Sequence, residues 1–296
     1  MRSNPALGIL RDVCAWAIVL LFVFPIFWWI LASFKPYTAI FNTTPVYWGF
    51  EPTLDNYRVT LGGVSRLSLI TDEGAAGTVA GGGSSYYSIP SIVDSVIVAL
   101  GSTVLAVVLS TLCAYGLSRF RFRGQQNFVF WILSQRMMPP IAIAIPIFFM
   151  FRDLGLRDSH LGLILAHTLI NLPIAVLLMK SFLDDVPVDL DQQAMIDGAT
   201  RWQTFWLVVM PLVKGGLAAT AVLCFIFSWT EFLLSLQLTT QIRTIPVKIS
   251  TFVTSTGTEW GFITALGSAA LVPSFIFIVL VQKHLVRGLT LGSLKD

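Results

Sequence analysis

Apolar residues run almost unbroken through six stretches of the chain, at 13–33, 92–117, 128–151, 161–182, 211–236 and 262–285. At 1.5 Å per residue, each is long enough as a helix to cross about 30 Å of hydrocarbon. A bilayer offers the backbone no hydrogen-bond partners, so such a run must satisfy its own N–H and C=O groups as a helix. The pattern predicts an all-α, polytopic membrane protein with six transmembrane helices, in a single domain over 1–296. Polar residues collect between the runs, chiefly in a long segment at 34–90 and a shorter one at 188–205.

Several runs are interrupted. The third contains Gln135-Arg136, then Pro139-Pro140 and Pro146; the fourth carries Asn171 and Pro173. The fifth holds Gly215-Gly216 and ends in Phe227-Ser228-Trp229-Thr230-Glu231-Phe232. Irregular backbone at membrane depth is tolerated only where protein or water covers it, so these breaks point to a pathway. Asp94-Ser95, near one end of the second run, reads as a helix-start cap. Within 34–90, the stretch from Glu73 to Ser85 is Gly/Ser-rich and reads as a flexible insertion.

The segment at 188–205 reads as two short helices with a hinge. Asp189 followed by Gln192 has the spacing of a capping box, as does Thr200 followed by Gln203. Gly198 between them can take the left-handed conformation that ends a helix. Trp202, Phe205, Trp206 and Val209 form an apolar stripe at helical spacing, suited to a membrane surface.

Composition agrees with the pattern: 55% hydrophobic and 12% charged residues, against about 25% charged in soluble domains. A net charge of +3, with basic residues at the ends of the runs, gives no nucleic-acid-binding patch. Cys14, Cys113 and Cys224 lie within apolar runs without CxxC spacing, and His160, His167 and His284 are scattered, so no metal site is expected. The first run is too long for the core of a cleavable signal. Six crossings place both termini on one side, together with Arg119, Arg121, Arg123, Lys180, Arg201, Lys214 and Lys283. The positive-inside rule makes that side, and the segment at 188–205, cytoplasmic. The three arginines at 119–123 read as a topological anchor.

Ionisable groups in lipid cost several kcal/mol unless paired or solvated. Arg136 fits either a cavity-lining donor to a hydroxylated solute or a clamp on the Pro139-Pro140 break. Glu231 fits either a translocation path or the membrane interface. Asn171 fits either a solute contact or a partner for a kinked helix, and Trp229 either a sugar-stacking platform or an interfacial anchor.

Gln192-Gln193-Ala194, Met195-Ile196, Asp197-Gly198-Ala199, then Phe205 and Pro211, resemble the coupling motif of ATP-binding-cassette importer permeases. That motif usually reads Glu-Ala-Ala, two residues, Asp-Gly-Ala. The family's glutamate is Gln192 here, with Asp191 one place earlier. Arg136-Met137-Met138-Pro139-Pro140, Leu154-Gly155-Leu156, Asn171-Leu172-Pro173, Trp229-Thr230-Glu231-Phe232 and Arg287-Gly288-Leu289-Thr290 are similar to carbohydrate-importer permeases of the maltose and polyol type. Thr230 stands where those proteins usually have Asn, and Lys295-Asp296 where their tails often close with Lys-Gly.

The resemblance implies a type I importer permease fold in the inner membrane of a prokaryote, importing a sugar or polyol. It implies a homologous second permease, two ATPase subunits that carry ATP and Mg, and an extracytoplasmic solute-binding protein. The chain itself is expected to bind no cofactor and to catalyse no reaction, having no Gly-rich Lys-Ser/Thr phosphate loop. The resemblance assigns ATPase coupling to Asp191, Gln192, Gln193, Ala194, Asp197, Gly198 and Ala199, and a tail contact with the ATPase to Gly288, Leu289, Thr290 and Lys295. An importer of another small solute, such as an amino acid, polyamine or phosphosugar, is the alternative. A secondary transporter is a further rival, separated by whether uptake follows ATP or the proton gradient.

Overall fold

A computed structural model describes residues 5–42, 44, 46–64, 86–255 and 257–292; side chains at 5–7, 9, 10 and 284–292 are not described. The Gly/Ser-rich stretch therefore lies outside the described residues, as do Lys295 and the side chains of Gly288, Leu289 and Thr290. The architecture is almost entirely helical. The long helices are α1 (Pro5–Ser33), α4 (Ile89–Arg119), α7 (His160–Asp184) and α14 (Trp260–Gly292). Between them come α2 (Tyr37–Ile40), α3 (Asp55–Thr60), α5 (Gln125–Gln135) and α6 (Pro140–Asp153). After α7 follow α8 (Val188–Ile196), α9 (Arg201–Gln203), a π-helical turn (Thr204–Val209), α10 (Met210–Leu212), α11 (Lys214–Trp229), α12 (Leu233–Leu238) and α13 (Ile245–Ser250). A two-stranded antiparallel hairpin pairs β1 (Val253–Thr254) with β2 (Gly257–Thr258).

Four of the described helices are long and apolar enough to cross a membrane: Arg11–Ser33, Ile89–Arg119, His160–Asp184 and Trp260–Lys283. Two bent pairs bring the total to six if each is one span. The third expected run is not one straight helix. It breaks after Gln135 and resumes at Pro140, with α5 and α6 at 93° to one another, because Pro140 has no N–H to continue the ladder and Pro139 is held extended at φ −58°, ψ 129°. The fifth run bends by 76° between Arg201–Leu212 and Lys214–Trp229. It also stops sooner than the expected 236, since Thr230 caps α11 and α12 begins as a separate helix at Leu233.

The chain divides into two compact units, residues 1–89 with 248–271, and 90–247 with 272–296. In the first, Asn56 donates from Nδ2 to the carbonyls of Ser33 (2.9 Å) and Lys35 (3.0 Å), which lie just at and beyond the end of α1. The Lys35 ammonium donates to the Val46 carbonyl and sits 4.6 Å from the Trp28 ring centre; burial holds its pKa below the ordinary lysine value.

The second unit packs α4, α7 and α11 through small side chains. The buried face of α4 carries Ser95, Ala99, Ser102, Ala106, Ser110 and Ala114, three or four residues apart. Gly216 lies against Phe182, where an added Cβ would stand 2.5 Å from the ring, so α11 reaches α7 only with glycine there. One apolar cluster joins Val98, Ile147, Phe151, Leu163, Leu234 and Leu238; another joins Ala114, Met179, Leu183, Phe205, Val209 and Val213. Asp94 does not cap α4, which begins five residues earlier at Ile89. Its carboxylate instead lies 2.8 Å from His160 Nε2, at the start of α7. Ser95 Oγ accepts the Ile245 N–H at 2.7 Å and so caps α13.

Candidate functional site

Two places gather polar groups. The first is the segment from α8 to α10. Here α8 starts at Val188 behind Pro187, whose φ of −56° and ψ of 132° turn the chain into the helix. The expected Asp189–Gln192 capping box is absent, because Pro187 is the N-cap and supplies no side-chain hydrogen bond. Asp189 sits inside the first turn with Asp191, where carboxylates favour the positive end of the helix dipole. The other end matches expectation. Gly198 has φ +90°, and two bonds, Gly198 N–H to Met195 O and Ala199 N–H to Ala194 O, close the helix in a Schellman motif. Nothing lies within 4 Å of a Cβ at Gly198, so backbone conformation alone calls for glycine. Thr200 and Gln203 form a complete capping box.

Doubly capped in this way, the knob turns Gln192, Gln193, Ile196 and Asp197 to solvent, with Ile196 85% exposed; Ala194 and Ala199 are half-buried. Asp191 points the other way. Its Oδ2 lies 3.0 Å from Arg119 Nε, and the two side chains are 7% and 5% exposed. They meet at ion-pair distance without hydrogen-bond alignment. Arg119 also donates to the carbonyls of Leu183 (3.2 Å) and Val186 (3.0 Å), at and just past the end of α7, where helix carbonyls lack partners. Tyr115 Oη donates to Asp191 Oδ1 at 3.4 Å, and its ring meets Phe205 edge-on at 4.8 Å. Arg119 is thus a tie between α4, α7 and α8 and not a solvated anchor, the role left to the exposed Arg121 and Arg123.

The apolar stripe after the knob splits. Phe205 and Val209 are buried, whereas Trp202 and Trp206 are exposed and pack on Phe205 at 5.4 and 5.1 Å. The π-helical turn shifts the register here, adding one residue per turn between Thr204 and Val209.

The second place is a cavity of about 170 Å³ at the break between α5 and α6. It brings together Arg136, Asn171 and Glu231 with His167, Phe227 and Ser228. Trp229 is not among its lining residues; it stacks on Phe225 at 5.3 Å, which in turn stacks on Phe277 at 4.0 Å. His167 is the organising group, 1% exposed. Its Nδ1 is 2.7 Å from Ser228 Oγ, and its Nε2 is 3.0 Å from Ser235 Oγ and 3.3 Å from Glu231 Oε2. Ser102 Oγ donates to Ser228 Oγ at 2.8 Å. A chain that runs Ser102 to Ser228 to His167 Nδ1 leaves the ring proton on Nε2, facing the carboxylate.

Glu231 also accepts the N–H groups of Leu234 (2.8 Å) and Ser235 (3.1 Å), capping α12. Asn171 donates to the Cys224 carbonyl at 3.2 Å, stitching α7 to α11. Arg136 is exposed and lies 4.9 Å from the centre of the Phe227 ring. In the sequence His167 stands as one of three scattered histidines, and no motif gives Ser228 or Ser235 a role. The available signal was His167 and Asn171 one turn apart on an apolar helix, two polar groups on one face that each need a partner.

The family described as "binding-protein-dependent transport system inner membrane component" matches residues 106–291. The chain is 34% identical to the trehalose transport system permease protein of Mycobacterium tuberculosis, covering 92% of each chain. It is 32% identical to the sulfoquinovosyl glycerol transport system permease protein of Agrobacterium fabrum, over 97% of this chain and 93% of that protein. With the trehalose/maltose transport system permease protein of Thermococcus litoralis the identity is 30%, over 100% of this chain and 99% of that one. Among solved structures, a bacterial ABC transporter that imports the acidic polysaccharide alginate superposes with a TM-score of 0.67 at 21% identity, covering 96% of this chain and 98% of that one, which speaks to the fold.

Proposed function

We propose a function that starts from family membership: the chain belongs to the binding-protein-dependent transport system inner membrane components, and acts as the permease subunit of an ATP-driven importer for a sugar or polyol. The solute class is taken from relatives named for trehalose, maltose and sulfoquinovosyl glycerol. A homologous second permease, two ATPase subunits and an external solute-binding protein complete the machine. ATP and Mg belong to the ATPase subunits.

The observation that carries the mechanism is the capped knob with its outward Ile196, anchored through Asp191 to Arg119. Gln192, Gln193, Ala194, Asp197, Gly198 and Ala199 form the surface that enters the ATPase, on the cytoplasmic side with both termini. Asp191 works from behind, holding that surface to α4 and α7. When the ATPases close on ATP, the knob moves and its tie carries the displacement into α4 and α7. The solute path passes Arg136, Asn171 and Glu231, beside the α5–α6 break. Gly288, Leu289, Thr290 and Lys295 extend the contact with the ATPase.

The test is purification of the tagged chain from its own cells. ATPase, second permease and binding protein should copurify, and mass spectrometry of the binding protein should find a sugar or polyol. Reconstituted uptake should need ATP and survive a protonophore. Uptake that follows the proton gradient in the absence of an ATPase would overturn the reading.

A further inference from the structure

Arg136 and Glu231 carry opposite charges and line one cavity of about 170 Å³, yet they form no ion pair with each other. Glu231 is held back by His167, Ser235 and the start of α12. The Arg136 guanidinium rests over Phe227 and has no hydrogen-bond acceptor among the described residues. Two opposite charges facing one small space attract strongly, so the network around Glu231 keeps open a gap that a bridging group can fill.

We infer that this cavity is a subsite for one uncharged, hydroxyl-bearing ring of the transported solute, an inference that rests on the importer reading. A hydroxyl both donates and accepts. Neighbouring hydroxyls of one ring accept from Arg136 and donate to Glu231, whose Oε1 takes only the Leu234 N–H among the described residues. Asn171 spends its amide N–H on Cys224 and leaves its Oδ1 unbonded among the described residues, a second acceptor for the ring. Phe227 and Ile170 supply the apolar wall. The two charges balance across one small space, so a carboxylate drawn to Arg136 also faces Glu231, and an ammonium drawn to Glu231 also faces Arg136; a neutral ring meets neither repulsion. The volume lies below the roughly 300 Å³ at which pockets for drug-sized ligands begin, so it takes one ring at a time from a longer solute.

The test uses the assembled complex with Cys14, Cys113 and Cys224 replaced by Ala and Ile170 by Cys. The rate at which a maleimide labels position 170 is measured with glucose, glucuronate or glucosamine, the same ring carrying no charge, a negative charge or a positive charge. Glucose should slow labelling about fivefold at four times its dissociation constant, with little effect from the other two. Adding Glu231→Gln should let glucuronate protect, and adding Arg136→Gln should let glucosamine protect. Equal or better protection by a charged sugar in the parent complex overturns the inference. So does the absence of protection by any of the three while the complex still imports its own solute with ATP, a result that leaves the importer reading standing.

Discussion

Arg119 and Asp191 form a buried ion pair, Nε to Oδ2 3.0 Å, that fastens the polar knob to the end of α4. Removing one partner of such a pair leaves an uncompensated buried charge and costs about 3–5 kcal/mol, whereas replacing both by apolar groups is often neutral. Asp191→Ala should therefore lower the melting temperature of the purified complex sharply, and Arg119→Met with Asp191→Leu should recover most of the loss. If Asp191→Ala melts like the parent, the pair does not hold the knob.

Gly198 stands at φ +90° with its N–H bonded to Met195 O. Proline there would need φ near −65° and has no N–H. Gly198→Pro should insert in the membrane normally and fail to retain the ATPase on an affinity column. Gly198→Ala, which costs about 1–2 kcal/mol in the left-handed region, should retain part of it. Full retention by the proline variant would remove the knob from the docking surface.

Asp158 is the one non-glycine residue at positive φ, +52°, among the described residues. Its carboxylate accepts the N–H groups of Thr240 and Gln241 and the Thr240 hydroxyl, joining the turn before α7 to the turn after α12. Those backbone bonds, Gln241 first and then Thr240, hold its pKa below the ordinary 3.8. With the folded value the lower one, the stabilisation is complete above pH 3.8 and is lost as pH falls through the folded value. Hydrogen exchange around 239–243 should thus be independent of pH-linked opening at neutrality. Asp158→Asn, which tolerates the same backbone, should raise exchange there at pH 7. No change in that variant would mean that the charge contributes nothing to the joint.

Arg136 touches Phe227 and is otherwise exposed in its cavity. An exposed cation–π contact is worth about 0.5–1 kcal/mol, so Arg136→Ala should leave assembly and melting nearly unchanged. A charge-assisted hydrogen bond to solute is worth about 1.5–3 kcal/mol, which sets a drop in uptake of about tenfold or more. Loss of assembly instead would make Arg136 a clamp on the α5–α6 break.

Local signals were legible in the sequence where their chemistry is local. Gly198 and the Thr200–Gln203 box depend on neighbours within one turn, and the structure has them as read. The Asp189 box failed on an equally local rule, since Pro187 sets the helix start two residues earlier. The resemblance to importer permeases was readable from the motif and its flanks, and the family match bears it out. What the sequence hid was tertiary pairing. His167 meets Ser228 and Ser235 at separations of 61 and 68 residues, and Tyr115 meets Asp191 at 76. A polar residue in an apolar run announces that it needs a partner, and only the packing of α4, α7 and α11 says which.

If the knob enters an ATPase and passes its motion to the membrane helices, Ile196, 85% exposed on that knob, reports on the contact most directly. With Cys14, Cys113 and Cys224 replaced by Ala and Ile196 by Cys, a short bifunctional reagent applied to the assembled complex should link this chain to the ATPase subunit, with a yield that changes when ATP is added. Labelling of position 196 by a membrane-impermeant maleimide from the outer face of intact cells, with no link to the ATPase, would contradict the account.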